Sequence, residues 1–332
     1  MTEQLKLKLN DSKATRWGAL VIVAFTMMAA YYVNDVVAPL KTMLETDLAW
    51  SSTDFGFFTG GYSFLNVFFL MLIWGGLILD RFGIRFTGKL ATILMVGGTA
   101  LEYYAMTGLA GADATLFGIN EIFGYKTGVF VAFAGYSIFG VGAEVAGITV
   151  SKIIAKWFKG KELATAMGVQ VALARIGSQA GYAVAIPLAR AFGISTPVLL
   201  GLVLLLGGMI AFFIFAVMDK KLDKQMEAAA IAAGTEDEEE KFSFKDVKNI
   251  LVNPGFWLIA LLCVLFYSCV FPFQKFASEL MIIKYGINEN VAGTFAGLPA
   301  LGALILTPIF GGFIDKRGKS ASIMILGAAM LI

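Results

Sequence analysis

Two residues of opposite charge sit at matching depths in a chain with few charges. Glu144 lies in FGVGAEVAG (139–147) and Arg175 in ALARIGSQAG (172–181), each within a long apolar run. A charge in a dry interior is costly unless it has a partner or a water-filled cavity. The pair brackets the turn Lys159-Gly160: Glu144 lies fifteen residues before Lys159, and Arg175 fifteen after Gly160. At about 1.5 Å per helical residue, both stand roughly 18 Å above the ends of their helices. That is near the middle of a hydrocarbon core about 30 Å thick. On the first arm Ser137, Gly140, Glu144, Gly147 and Ser151 recur at helical spacing as a face of small and polar residues. On the second, Arg175, Gln179 and Tyr182 form a stripe. A zwitterion with a free amine and a free carboxylate matches such a pair, with Glu144 for the ammonium and Arg175 gripping the carboxylate through two hydrogen bonds. The same spacing fits a permanent ion pair that fixes helix register, with the glycines serving close packing.

Such depths require membrane-spanning helices, and the composition supplies them. The chain has 332 residues, 58% hydrophobic and 15% charged, too little polar surface for a soluble core of this size. This is an all-α membrane protein on composition alone. A net charge of +2 gives no footprint for nucleic acid. Histidine is absent, which removes the commonest metal ligand, and no cofactor is expected. Cys263 and Cys269 are about 9 Å apart along one predicted helix, too far for a disulfide. No nucleophile–base set, metal-ligand cluster or phosphate-cradling glycine loop points to an enzyme.

At about 20 apolar residues per span, eight complete helices are expected near 17–40, 54–79, 87–108, 128–155, 164–192, 196–218, 256–283 and 290–314. A ninth begins near 320 and stops at AAMLI, so a fragment is expected. No short apolar stretch with a small-residue cleavage site marks a signal peptide, and the first span is read as uncleaved. Lys and Arg concentrate in the N-terminus (1–16) and in the loops after spans 2, 4 and 8, which puts the N-terminus in the cytoplasm. Residues 219–254, with EDEEE at 236–240, read as a cytoplasmic linker between 17–218 and 255–332.

An internal repeat supports that division. GLILDRFGIR (76–85) and GGFIDKRGK (311–319) both fit Gly-x-x-x-Asp-[Arg/Lys]-x-Gly and follow spans 2 and 8. The pattern resembles the signature loop of the major facilitator superfamily. YYVNDVVAPL (31–40), GVGAEVAG (140–147) and WFKGKELATAMGVQVALARIGS (157–178) are similar to its lysosomal dipeptide uniporter group. The resemblance implies twelve helices in two six-helix halves around a central cavity, of which this chain supplies the first half and part of the second. It further implies a substrate role for the residues at Glu144 and Arg175, transport by uniport, and in eukaryotic relatives a lysosomal setting with a glycoprotein partner. The N-terminus carries no clear acidic-dileucine signal, so a bacterial cytoplasmic membrane is preferred; homodimers enter only by resemblance.

Further candidates surround the pair. Tyr31, Tyr32 and Asp35 share a face of span 1, and Tyr62, Asn66, Gln179, Tyr267 and Gln274 are potential cavity residues. Asp35 and Lys275 fall at comparable outer depths, and the resemblance brings spans 1 and 7 together there as a gate. Capping or anchoring of Asp35, and pairing of Lys275 with Glu279, are the local alternatives. Asp80, Arg81 and Arg85, with Asp315 and Lys316 of the second copy, are gating and topology residues. By resemblance Asp80 closes against an eleventh helix. Glu102, on a span that is peripheral in this fold, reads as snorkelling or locally paired. Gly56-x-x-x-Gly60, Gly177-x-x-x-Gly181 and Gly293-x-x-x-Gly297 read as helix-packing motifs. The rival functions are a proton-coupled organic anion or drug transporter, with Glu144 or Asp35 as proton carrier, and a non-transporting receptor or assembly subunit.

Overall fold

In lipid every backbone polar group needs an internal partner, so apolar runs of this length fold as helices. The computed structural model describes residues 8–111, 114–233, 251–306 and 320–330. A 3-10 turn, Leu9–Asp11, leads into α1 (Lys13–Val36), whose N-cap Ser12 accepts a hydrogen bond from the Thr15 amide. A second 3-10 turn (Ala38–Leu40) and α2 (Lys41–Asp47) follow. A reciprocal Ser51/Asp54 capping box starts α3 (Ser52–Phe68). Then come α4 (Met71–Thr107), a short hairpin pairing Glu121–Ile122 with Tyr125–Lys126, and α5 (Thr127–Trp157). α6 (Leu163–Phe192) and α7 (Thr196–Ala233) complete the first part. Beyond it stand α8 (Pro254–Tyr285), started by Asn253 and stopped by left-handed Gly286, α9 (Glu289–Ala296), a helical stretch over 298–306, and Ser320–Met330.

The expected second span is not one straight helix. Leu70 takes a left-handed conformation (φ 51°), and α3 meets α4 at a bend of 58°. The loop expected after that span is a local break inside α4 at Gly83 (φ 74°, ψ 172°), a backbone state that glycine adopts without steric cost. Five helical segments among the described residues are long and apolar enough to cross a membrane, or six if α3 and α4 form one bent span, against the eight expected. α6 has the length, but Arg175, Gln179 and its glycines dilute its apolar character.

The first residues of the stretch expected to be a linker are helical. Residues 219–233 continue α7, because Asp219 and Asp223 are tied into the helix packing described below. The EDEEE run lies outside the described residues, as do Asp315 and Lys316.

α1 packs along α6 and α7, while α5 packs along α3 and α4. Two of the three glycine motifs make close helix–helix contacts. A Cβ on Gly177 would stand 2.1 Å from the Met28 carbonyl oxygen of α1, and one on Gly293 2.2 Å from that of Tyr182 on α6. Gly56 and Gly60 have no atom within 4 Å of that position. They face open space, which corrects their reading as a packing motif. α8 and α9 meet the first part at Ala38–Leu40, at α2 and along α6, all toward the face opposite the N-terminus, called here the far face.

Candidate functional site

The open space beside Gly56 and Gly60 is a cavity of about 510 Å³ bounded by α1, α3, α5 and α8. Tyr31 and Asn34 come from α1, Tyr62 and Ser63 from α3, Glu144 and Gly147 from α5, and Phe271 and Lys275 from α8. The volume lies within the range of small-molecule sites, and the walls are largely apolar with a few converging polar groups.

Glu144 is half-buried on this wall and accepts a hydrogen bond from the Tyr62 hydroxyl at 2.8 Å. Arg175 is also half-buried, with its guanidinium 5.7 Å from the centre of the Tyr31 ring. Tyr31 therefore connects the two, sharing the cavity wall with Glu144 and carrying Arg175 over its ring. Glu144 and Arg175 are not within salt-bridge distance of each other, and among the described residues neither has a charged partner. The permanent ion pair left open by the spacing is not formed.

The other expected binding residues separate. Tyr32 is 2% exposed and donates to the Pro197 carbonyl at 3.2 Å, so it joins α1 to α7 and does not face the cavity. Gln179 abuts Gly297, and Tyr182 donates to the Gln274 carbonyl, so the α6 stripe below Arg175 holds α8 and α9. Tyr267 is exposed and stacks on Phe271 at 5.0 Å; it is Phe271, one turn on, that reaches the cavity wall. Asn66 donates to the Tyr62 carbonyl one turn back on its own helix. On the arm facing α6, Gly140 packs on the Tyr62 carbonyl and Ser137 bonds the Phe133 carbonyl, leaving Glu144 and Gly147 to the cavity.

At the far face, Lys275 donates to the Asn34 carbonyl at 2.6 Å and to the Tyr136 hydroxyl at 3.0 Å, with Asp35 Oδ1 3.9 Å away. Tyr136 in turn donates to the Asn34 carbonyl at 2.7 Å. Glu279 does not pair with Lys275. It meets Lys41 of α2 at 2.5 Å, and Lys41 also binds Glu45 at 2.8 Å. Lys41 falls just past the first expected span, and its partner lies 238 residues away in the chain.

At the N-terminal face, Asp80 pairs with Lys152 of α5 at 2.9 Å. Arg81 is exposed beside the Phe82 ring at 5.5 Å. Arg85 reaches Asp223 at 3.2 Å and stands 3.9 Å from Asp219. Asp219, wholly buried, also accepts from Lys156 at 2.8 Å and from the Trp157 indole at 3.0 Å. Sequence reasoning missed Asp219 and Asp223, since they fell in a stretch read as linker. A further cluster ties the N-terminus down: Arg16 binds Glu162 at 2.7 Å, and Lys161 binds Asp11 at 2.7 Å. Its hydrogen bond to Arg16 holds the Glu162 carboxyl below the usual range, and that from Lys161 does the same for Asp11. Glu102 is neither snorkelling nor paired: it is wholly buried on α4, and no donor among the described residues reaches either carboxylate oxygen.

Comparison with known proteins agrees with this architecture. The chain is 27% identical over 321 residues to the lysosomal dipeptide transporter MFSD1 of Homo sapiens, covering 92% of this chain and 63% of that protein. It is 32% identical over 199 residues to the Gallus gallus protein of that name, covering 56% of this chain and 43% of that protein. The chain thus spans less than two thirds of the length of these relatives. In structure it is similar to the D-xylose-proton symporter, with a TM-score of 0.58 and 15% identity, over 90% of this chain and 69% of that one. The model of the Major Facilitator Superfamily matches residues 17–332. The chain is a multi-pass membrane protein and belongs to the Major Facilitator Superfamily.

Proposed function

We propose that the protein carries small zwitterionic solutes, dipeptides above all, across a membrane by alternating access. Residues 17–218 and 255–332 belong to two halves that rock about a site near the midplane. Glu144 takes the solute's ammonium and Arg175 its carboxylate. One observation carries this reading: Glu144 lines a cavity of about 510 Å³, Arg175 stands over the ring of the wall residue Tyr31 without itself lining the cavity, and neither is neutralised by a charged partner among the described residues. Tyr62 orients the Glu144 carboxylate, and Tyr31 supports the guanidinium without occupying its donor edge.

An acidic residue on the wall works against a purely anionic solute. The names of the relatives support a dipeptide. Lys41–Glu279 and Asp35–Lys275 hold the far face shut, and the Lys and Arg distribution supports a cytoplasmic N-terminus. Uniport is the reading favoured by resemblance, and a pH-clamped flux assay separates it from proton coupling.

The decisive test is a thermal-shift and binding screen of dipeptides, single amino acids and organic acids on the full-length protein. Dipeptide affinity is expected to fall about tenfold or more in Glu144→Gln and Arg175→Lys, equivalent to at least about 1.4 kcal/mol, with folding intact. Unchanged dipeptide affinity in both variants removes the assignment.

A further inference from the structure

α4 carries two carboxylates outside the substrate site: Asp80, paired with Lys152, and Glu102. Glu102 is 0% exposed, and neither oxygen meets a donor among the described residues. It stands five residues before the end of α4, about 8 Å from the far-face terminus of that helix. There α4 and α5 touch backbone to backbone: a Cβ on Gly135 would lie 2.9 Å from the Glu102 amide nitrogen. The next residue, Tyr136, is wholly buried, and its hydroxyl receives the Lys275 ammonium.

An ionised carboxylate in such a place has lost water without gaining a hydrogen bond or a counter-ion, so the group is accommodated as the neutral acid. The titratable and charged groups around it are few. Tyr136 of α5 follows the Gly135 that packs on the Glu102 backbone, its hydroxyl binds Lys275 of α8, and Asp35 of α1 stands 3.9 Å from that ammonium. Lys275 is bound to Asn34 and Tyr136 and makes no contact with the Glu102 carboxyl.

We propose that Glu102 is a proton-binding site whose occupancy is tied to closure of the far face between α1 and α8. With Lys275 seated on Asn34 and Tyr136, Glu102 is dry and keeps its proton. When α8 withdraws, water enters past Tyr136, and the carboxyl O–H gives its proton to that water and remains as carboxylate. Reclosure takes one proton back. The closed arrangement is thus favoured as pH falls, by up to about tenfold per pH unit while the open state is ionised and the closed state is not. The inference rests on the alternating-access reading, but it is independent of which solute is carried.

The test uses spin labels at Thr46→Cys and Lys284→Cys, both exposed and on opposite sides of the far-face contact, with the exposed Cys263 and Cys269 replaced by serine. Distances are measured in the full-length protein in liposomes between about pH 5 and 8. The short-distance population of the parent should grow as pH falls, and Glu102→Gln should stay closed at every pH. A parent insensitive to pH, or a Glu102→Gln variant with the parent's pH response, overturns the proposal. If Glu102→Gln does not fold, infrared difference spectra of the parent decide. A protonated-carboxyl band present in the closed state and lost on opening supports the site, and its absence rejects it. Failure of dipeptide binding would leave these readouts untouched, so the two readings fail separately.

Discussion

Lys41 on α2 and Glu279 on α8 meet at 2.5 Å across 238 residues of chain, with the lysine only 3% exposed. A nearly buried cation held by Glu45 and Glu279 is a switchable contact, since breaking it strands a desolvated charge. With Asp35–Lys275 it forms a second fastening at the same face.

Reversing one member of this contact should open the far face, and reversing both should restore it. Lys41→Glu and Glu279→Lys are each expected to destabilise closure by about 1–3 kcal/mol, with most of that recovered in the double variant. A double-mutant cycle on the spin-label distance measures it. Additive effects would show that the two charges are not coupled.

The two kinds of glycine should respond in opposite ways. Gly177→Ala places a methyl group 2.1 Å from a backbone oxygen and should cost about 1–3 kcal/mol of stability by overpacking α6 against α1. Gly56→Ala, inside α3, meets no atom and should hold or raise the melting temperature while narrowing the cavity and weakening solute binding. Thermal melts and binding isotherms on both variants separate these effects.

Tyr62→Phe removes the only hydrogen bond that the described residues give Glu144. The lost bond to a charged acceptor is worth about 1.5–3 kcal/mol at most. A weakening of dipeptide affinity by several-fold, with a smaller effect than Glu144→Gln, is therefore expected by calorimetry.

Asp219 binds Lys156 and the Trp157 indole while wholly buried. Asp219→Ala removes two hydrogen bonds from the buried cluster while Lys156 keeps Asp223, and should destabilise the N-terminal face by about 1–3 kcal/mol. A lowered midpoint in thermal unfolding checks it; Asp80→Ala, whose pair with Lys152 is exposed on both sides, should change far less.

The attachment of the N-terminus should weaken in acid. Asp11 and Glu162 both titrate below their ordinary values because Lys161 and Arg16 bond their charged forms. Their contribution is therefore present above the ordinary carboxylate range and is lost as pH falls through the lowered values. Trp17 packs on Phe158 at 5.5 Å beside this cluster, so its fluorescence should report the release. Asp11→Asn and Glu162→Gln should show the released signal already at neutral pH.

Much of this protein was legible in the chain itself. Apolar runs of spanning length dictate helices, since lipid offers the backbone no alternative partner. The repeated Gly-x-x-x-Asp-[Arg/Lys]-x-Gly loop pointed to the superfamily whose model matches residues 17–332. Counting residues from the Lys159-Gly160 turn predicts one depth for Glu144 and Arg175, because helical rise converts sequence distance into depth, and Tyr31 stands beside both. Rise does not give rotation or the neighbour across a gap. Tyr31 and Tyr32 are adjacent in sequence, yet about 100° of helical turn sends one to the cavity and the other to the Pro197 carbonyl. Gly56 and Gly177 read alike, and only the packed helices decided which one meets a backbone. The Lys41–Glu279 contact and the unpartnered carboxyl of Glu102 likewise depend on which helices lie side by side, a property of the assembled bundle that no local pattern encodes.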